Sequence, residues 1–138
     1  MTTAQDFAAA ALQLVGTPWH HQGRLPGVGL DCVGVVVAAA KTCGVEVEDR
    51  HDYTPPADPN LFLLLLAENC ERDAVPVLEV GRLVVFRIGP HPQHIAIVVD
   101  GDRIVHGVDR KRRGVAVESL TDAWRYRVHS TWRLRGVT

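Results

Sequence analysis

The chain has 138 residues, of which 46% are hydrophobic and 22% are charged, and its formal net charge is −1. A chain of this length buries roughly two-thirds of the surface that it exposes when unfolded, so residues 1–138 can form a single domain without a structural metal or disulfides. This composition excludes a disordered, collagen-like or coiled-coil protein.

The first part of the chain is predicted to be a helix followed by a loop. Thr3 and Asp6 have the spacing of a capping box, and the apolar residues after them recur at helical spacing over about residues 4–15. Residues 20–29 are rich in glycine, proline and histidine and have no periodicity, which is typical of a loop.

A second and a third helix are predicted after this loop. The valine-rich run from Cys32 suits a strand by propensity, but Asp31 as an N-cap and Gly44 after the last turn favour a helix of about twelve residues. Further on, Asp58 and Pro59 place a cap and a first-turn proline ahead of a leucine-rich helix that ends near residue 73.

The second half of the chain changes to the period of β-strands. β-Branched runs predict strands at residues 82–88, 94–99, 103–106 and 115–118. Ser119 and Asp122 indicate a brief capped turn of helix, and residues 126–135 alternate as in a strand with one arginine-rich, solvated face. Helices followed by an antiparallel meander make this an α+β domain.

Neither the apolar segments nor the N-terminus predicts membrane insertion or export. The longest apolar run, residues 61–67, is far shorter than the roughly 18 residues that a bilayer span needs. Residues 1–10 have no basic region and carry Asp6, unlike a secretory signal. We therefore expect no membrane span and no signal peptide, so the chain is expected to be cytoplasmic when it is made.

Charge is divided unevenly along the chain, with −7 on residues 1–102 and +6 on residues 103–138. The basic residues are mostly arginines, which suit carboxylate or phosphate partners. No aromatic interleaving and no basic helix accompanies them, so we favour a solvated strand face over a nucleic-acid site.

The three cysteines lack the CxxC spacing of a disulfide or zinc motif, which favours a reducing compartment. Cys32 opens a predicted helix, where unpaired N–H groups and the helix dipole lower the pKa of a thiol. A buried structural cysteine is the alternative for this position. We assign Cys43 and Cys70 to packing, since each is predicted late in a helix, where the dipole disfavours a thiolate.

A nucleophilic cysteine needs a base, and that base needs a polar group that orients it. His94 opens an apolar strand and is the candidate base, with His106 on the next strand as the orienting group. A two-residue hairpin loop would put the histidines on opposite faces, whereas a three-residue loop at 100–102 would put both on one face. The hypothesis therefore requires the odd loop.

Four motifs in this order resemble the NlpC/P60 family of cysteine peptidases, and more narrowly its phage tail-associated branch. They are Gly16-Thr17-Pro18-Trp19-His20-His21-Gln22-Gly23, Gly29-Leu30-Asp31-Cys32-Val33-Gly34, His94-Ile95-Ala96-Ile97-Val98 and Ile104-Val105-His106. The resemblance covers residues 5–135, including the Tyr53-Thr54-Pro55 loop and the stretch from Val117 to Trp124 that is expected of the phage branch.

The resemblance implies a papain-like α+β fold in which the nucleophile begins a helix that packs on an antiparallel sheet. It implies hydrolysis of an amide bond in the stem peptides of the bacterial cell wall, without a cofactor or a metal. Cys32 would then be the nucleophile, His94 the general base and His106 the third polar member. Phage tail proteins are the implied partners, and a virion or tail-like particle would carry the enzyme to the wall.

Four residues near the nucleophile are candidates for contact with substrate: Trp19, His21, Arg24 and Asp31. Arg24 could bind a carboxylate of an acidic stem peptide. Many family members have tyrosine in place of Trp19, and many have aspartate where this chain has Arg82. These departures put the oxyanion contact and a local hydrogen-bond network in doubt.

Three alternatives stay open at the level of sequence. The first is a structural tail-assembly protein that keeps the fold without activity. The second is an amidase that acts on another γ-linked or small-molecule amide, because fold does not fix substrate. The third is a metal site formed by His91, His94, His106 and Cys32, which is disfavoured because no carboxylate orients the ligands.

Overall fold

Within the described residues, three of the four helices lie in the first half of the chain and six of the eight strands lie in the second half. The computed structural model describes residues 1–53, 58–109 and 114–138. The helices are α1 (Ala4–Leu12), α2 (Cys32–Thr42), α3 (Pro59–Asn69) and α4 (Asp122–Tyr126). The strands are β1 (Arg24–Leu25), β2 (Gly29–Leu30), β3 (Cys70–Arg72), β4 (Leu83–Ile88), β5 (His91–Val98), β6 (Arg103–Val108), β7 (Gly114–Ser119) and β8 (Val128–Leu134).

The main sheet has six antiparallel strands in the order β3-β8-β4-β5-β6-β7. From β4 to β7 the strands follow chain order, as in the predicted meander, whereas β8 returns across the sheet and inserts between β3 and β4. The α+β class is therefore confirmed. None of the helices within the described residues is long and apolar enough to cross a membrane.

The two faces of the main sheet carry cores of different size. One face packs against α1, α2 and α3 through a large cluster of buried apolar side chains that includes Leu83, Val85, Ile95 and Ile97. The other face carries a smaller cluster, which includes Val84, Phe86, Ala96, Val98, Ile104 and Leu120 and is partly covered by Trp124 of α4. Successive strand residues alternate between these faces.

The predicted helix starts are confirmed by their caps. The Thr3 hydroxyl accepts a hydrogen bond from the Asp6 amide while the Asp6 carboxylate accepts one from the Thr3 amide. Asp31 caps α2, and Asp58 caps α3 with Pro59 in the first turn. Each cap satisfies N–H groups that have no partner within the helix.

Two predicted helix ends were wrong, because tertiary contacts stop the helices early. The first helix ends at residue 12 rather than 15, and the Gly16 amide then donates to the Val115 carbonyl of β7. The third helix ends at Asn69, whose side-chain amide exchanges two hydrogen bonds with the Glu48 backbone. The next residues form β3 instead of the last helical turn, since Cys70 pairs with Leu134.

Other differences lie at the ends of strands and at the last helix. The strand predicted to begin at His94 begins at His91, because a bulge after Phe86 accommodates Pro92, which has no N–H to donate. Thr121 rather than Ser119 caps α4. The final strand begins at residue 128, and residues 24–30 of the predicted loop contain the short β1–β2 hairpin.

Part of the C-terminal positive charge pairs with acids on and directly after β3, the strand next to β8. Arg133 lies 3.7 Å from a carboxylate oxygen of Glu71 on β3 and 3.8 Å from one of Asp73. Arg135 lies 4.0 Å from the other Glu71 oxygen. Ion pairs of exposed arginines contribute little stability. They do give two arginines at this end of the chain acidic partners within the chain.

Candidate active site

Cys32 is the first residue of α2 and is half-buried. Asp31 fixes this helix start, since its Oδ1 accepts a hydrogen bond from the Gly34 amide at 2.7 Å. A side chain at Gly107 of β6 would approach the Asp31 backbone to 3.0 Å and the Cys32 amide nitrogen to 3.2 Å. Glycine at that position therefore allows the start of α2 to lie directly against the sheet.

The hairpin between β5 and β6 has the three-residue loop that the sequence hypothesis required. Ile97 pairs with Val105, Val98 with Ile104, and the Val99 amide donates to the Arg103 carbonyl, so residues 100–102 form the loop. Among the described residues, the two strands pair only near this loop. At the other end of the hairpin the Ile95 N–H interacts with the Cys32 sulfur, so α2 meets the sheet where β5 and β6 are not paired.

The odd loop brings the two histidine rings together on the face opposite the helices. Nε2 of His94 lies 2.7 Å from Nδ1 of His106, a hydrogen bond in which one ring donates to the other. His94 is directly before Ile95, and His106 is directly before Gly107, the two residues that contact the start of α2. Each histidine thus directly precedes, on its own strand, a residue that contacts the start of α2.

The thiol and the imidazole are both uncharged at rest. Burial, together with the charge of Asp31, raises the pKa of Cys32 to about 12, and the N–H groups of Ile95, Val33 and Cys32 only partly oppose this rise. Burial, aided by His106, lowers the pKa of His94 to about 3. The prediction of a lowered thiol pKa was wrong, because burial outweighs the effect of the helix N-terminus.

Asp31 lies at the centre of a buried hydrogen-bond network. Its Oδ1 accepts from Gly34 and from Nη1 of Arg24 at 3.1 Å, and its Oδ2 accepts from the Gln22 amide at 2.9 Å and the Tyr53 hydroxyl at 2.6 Å. Both oxygens are therefore occupied by partners within the chain. Asp31 thus links the loop to the helix start, and its contact with substrate stays a prediction.

Arg24 is held in the same network. Its Nη2 donates to the Tyr53 hydroxyl at 2.7 Å, and its Nε donates to both Asp49 carboxylate oxygens at 3.0 Å. Burial lowers the pKa of Arg24, but the contacts with Tyr53, Asp31 and Asp49 more than offset it, so the net shift is upward. Arg24 is therefore held by partners within the chain, and its contact with a substrate carboxylate stays a prediction.

Trp19 and His21 form an aromatic surface next to that network. The two rings are stacked with centroids 6.4 Å apart, and His21 meets the Tyr53 ring edge-on at 5.7 Å. Both side chains are half-buried, so part of each ring faces solvent. This surface can contact an extended ligand, whereas Tyr53 itself is buried.

Sequence reasoning missed two residues that contact the histidine pair. Oε1 of Glu118 lies 3.3 Å from Nε2 of His106, and Oε2 of Glu118 accepts a hydrogen bond from the Trp124 indole at 3.2 Å. The Trp124 ring also packs on both imidazoles, 6.1 Å from His94 and 5.4 Å from His106. Glu118 is two residues from position 116, which pairs with His106, so the Glu118 and His106 side chains lie on the same face of the sheet. This relation could not be predicted from the sequence because it depends on the register of β7.

The remaining cysteines and histidines lie outside this arrangement. Cys70 is buried in β3 and burial raises its pKa to about 12, while Cys43 caps the end of α2. Within the described ranges no three side chains of histidine, cysteine, aspartate or glutamate come together as a metal site. Nothing in this part of the chain gathers His91 with Cys32, His94 and His106 into a metal site.

Arg82, where many family members have an acid, has a carboxylate partner from elsewhere in the chain. Its Nε donates to Oδ2 of Asp73 at 3.0 Å, and the same oxygen accepts from the Thr131 hydroxyl at 2.6 Å. Burial opposes ionisation of Asp73, but these two hydrogen bonds outweigh it and lower the pKa of the carboxyl. Arg82 therefore takes part in a hydrogen-bond network with Asp73 and Thr131.

Comparison with solved structures finds the same fold in bacterial proteins. The NlpC/P60 domain of the peptidoglycan hydrolase SagA superposes with a TM-score of 0.66 at 18% identity, covering 94% of this chain and 97% of that one. A lipoprotein-like NLP/P60 protein from Staphylococcus aureus subsp. aureus Mu50 gives 0.66 at 19% identity, and an NlpC/P60 protein from Bacillus cereus ATCC 10987 gives 0.66 at 20%.

This chain spans only part of the last two proteins. It is covered to 95% and 96% by the Staphylococcus and Bacillus proteins but spans 41% and 40% of their lengths. None of the curated proteins compared with the chain gives a significant match. The profile of the NlpC/P60 family matches residues 16–133, so the chain belongs to the NlpC/P60 family.

Proposed function

We propose that this chain is a cysteine endopeptidase or amidase that hydrolyses an amide bond in the stem peptides of bacterial peptidoglycan. The observation that carries the proposal is the 2.7 Å hydrogen bond between His94 and His106, where His94 directly precedes Ile95, whose N–H interacts with the Cys32 sulfur. The fold shared with the domain of a peptidoglycan hydrolase supports the choice of substrate class.

The proposed reaction is acyl transfer through Cys32. The sulfur attacks the amide carbonyl as its proton passes to Nδ1 of His94, the ring nitrogen that is not bonded to His106. His94 then donates that proton to the leaving amine, and a thioester remains on Cys32. Water, deprotonated by His94, hydrolyses the thioester and restores the thiol. The Cys32 amide at the start of α2 is the proposed donor to the oxyanion.

The neutral resting state fits a general-base reaction. Since the pKa of Cys32 is raised and that of His94 is lowered, the thiol keeps its proton until attack on the carbonyl begins. The unprotonated imidazole is then ready to accept the proton over the whole range from weakly acidic to alkaline pH.

Trp19 and His21 are proposed to contact the stem peptide through their solvent-facing rings. Arg24 and Asp31 are proposed to support this surface through Tyr53, to whose hydroxyl both are hydrogen-bonded. A flat aromatic wall suits an extended peptide, because a ring offers contact area at a small cost in side-chain entropy.

Association with a phage tail or a tail-like particle is part of the proposal. It is supported by the resemblance of the motifs around Tyr53 and from Val117 to Trp124 to the phage-associated branch. Mass spectrometry of purified tail particles from the phage or strain that encodes the chain tests it. The chain should be present in stoichiometric amounts, and its absence from such particles would contradict this part of the proposal.

The test of activity compares the wild-type chain with Cys32→Ala on purified stem peptides and muropeptides, with new amines identified by mass spectrometry. Cleavage is expected from the wild type and not from Cys32→Ala. Cys43→Ala is the matched control, since it removes a thiol at the other end of α2, and it should cleave like the wild type. Equal product from wild type and Cys32→Ala, or none from either, would overturn the proposal.

A further inference from the structure

A carboxylate that has no role in the proposed reaction lies next to His106, on the side away from His94. His106 is 1% exposed, and its Nε2 lies 3.3 Å from Oε1 of Glu118, which is within ion-pair distance although the angle falls outside hydrogen-bond geometry. The other Glu118 oxygen is held by the Trp124 indole N–H at 3.2 Å. The carboxylate is thus fixed between an indole and a buried imidazole, on the side of His106 away from His94.

We propose that Glu118 sets the tautomers of both histidines and thereby makes His94 a base towards Cys32. This inference rests on the proposed function, because it concerns the hydrolytic site. Glu118 touches neither substrate nor the reacting atoms in this scheme, so it is a positioning residue that acts through His106.

The direction of the proton relay follows from the fact that an ionised carboxylate only accepts hydrogen bonds. A neutral His106 next to Glu118 carries its proton on Nε2, which leaves Nδ1 as an acceptor. The 2.7 Å contact with His94 then requires that His94 donate from its own Nε2. A neutral imidazole with a proton on Nε2 has its lone pair on Nδ1, the nitrogen that takes the proton from the Cys32 thiol.

The opposite tautomer would disable the site. If His106 carried its proton on Nδ1, Nε2 of His94 would have to accept it, and the His94 proton would sit on Nδ1. His94 could then donate to the sulfur but could not remove its proton. The two tautomeric arrangements have the same heavy-atom positions. The Glu118 carboxylate, which lies beyond His106, therefore selects between them.

Glu118 is the carboxylate that suits this task, because the other carboxylate near the site is already occupied. Both Asp31 oxygens accept hydrogen bonds from Gln22, Gly34, Arg24 and Tyr53 on the far side of the helix start. Glu118 comes from β7, next to the strand that carries His106, and reaches the ring diagonally across the sheet.

Trp124 donates a hydrogen bond to the Glu118 carboxylate and packs on both imidazole rings. Its indole packs 4.7 Å from Phe86, against which His94 also stacks at 6.3 Å. These contacts limit the access of water to the imidazoles, and a drier environment strengthens the electrostatic effect of the carboxylate on the ring protons.

The test measures tautomers and kinetics in the same set of variants. Long-range proton–nitrogen NMR spectra of histidine-labelled protein report which ring nitrogen carries the proton, with His94→Gln and His106→Asn used for assignment. In the wild type at neutral pH, both His94 and His106 should carry it on Nε2. In Glu118→Gln, whose amide can donate as well as accept, His106 should shift towards the Nδ1 form, and kcat should fall about tenfold with KM changed less than about twofold.

Two further variants serve as the control and as a safeguard. Asp122→Asn removes a negative charge from the exposed start of α4 and should leave both the tautomers and kcat as in the wild type. Trp124→Phe keeps an aromatic ring but removes the N–H that holds Glu118, so it should shift the tautomers in the same direction by a smaller amount. It decides the question if Glu118→Gln does not fold.

The outcomes separate this inference from the proposed hydrolytic function. If the wild type cleaves no stem peptide, the function fails, while the tautomers and the rate of Cys32 alkylation by iodoacetamide still test the role of Glu118. With an active wild type, an unchanged His106 tautomer or an unchanged kcat in Glu118→Gln would overturn the inference. A shift of the tautomer together with the fall in kcat would support it.

Discussion

The two faces of the main sheet differ in what they contain, although they share the same strands. The face towards α1, α2 and α3 is a continuous apolar core, whereas the opposite face has a small apolar cluster next to two histidines and a glutamate. His94 and Ile95 are neighbours in β5, yet one belongs to each face. In β5, therefore, a residue that stabilises the core lies directly next to a residue that is proposed to act in the reaction.

The largest difference between the faces is expected in activity. His94→Gln removes the proposed base but keeps a polar side chain of similar length. We expect the rate of amide cleavage to fall by a factor of about 100 to 10,000, the usual contribution of a general base. Cleavage assays with stem peptides measure this, and urea unfolding at neutral pH should show that the variant stays folded. A variant with the wild-type rate would separate His94 from the chemistry.

The neighbouring substitution should have the opposite signature. Ile95→Ala removes buried methyl groups from the helix-facing core, where Ile95 is 3% exposed, and should reduce the free energy of unfolding by about 2 to 5 kcal/mol. At temperatures where the variant is folded, its cleavage rate should fall far less than that of His94→Gln. Urea denaturation measures the stability, and a loss below about 1 kcal/mol would mean that the two faces are not divided in this way.

A smaller difference between the two faces is expected in how the free energy of unfolding depends on pH. In the unfolded chain His94 binds a proton below its ordinary pKa of 6.5, whereas in the folded protein burial holds its pKa at about 3. The stability that neutral His94 contributes is therefore present above pH 6.5 and is lost as the pH falls towards 3. At pH 5 the loss is about 2 kcal/mol relative to neutral pH.

Urea unfolding at pH 5 and pH 7.5 checks this dependence. His94→Gln cannot take up a proton, so its stability should change less between the two pH values than that of the wild type. The same dependence in both proteins would show that His94 is not held in its neutral form by burial.

The sequence predicted the order of elements well where local signals are strong. Caps at Thr3, Asp31 and Asp58 located the helix starts, and β-branched runs located the strands from β4 to β7. The ends of elements were less well predicted because tertiary partners decide them. The exchange between Asn69 and Glu48 and the pairing of Cys70 with Leu134 stop the third helix, and neither partner is near in sequence.

The candidate site shows the same division between local and tertiary information. The length of one loop decides whether His94 and His106 share a face of the sheet, and the three-residue loop puts both rings on one face. The pKa of Cys32 could not be predicted in this way, because it depends on burial and not only on the helix start. The occupied state of Arg24 was equally hidden, since its partners Asp49 and Tyr53 are far along the chain.

The measurement that tests the account most directly is the detection of an acyl group on Cys32. Wild-type protein mixed with a stem peptide and quenched in acid within the first turnover should gain the mass of the acyl fragment, and peptide mapping should place it on Cys32. Cys43→Ala should give the same adduct, and Cys32→Ala should give none. Amide cleavage that continues in Cys32→Ala, with no adduct on the wild type, would contradict the account.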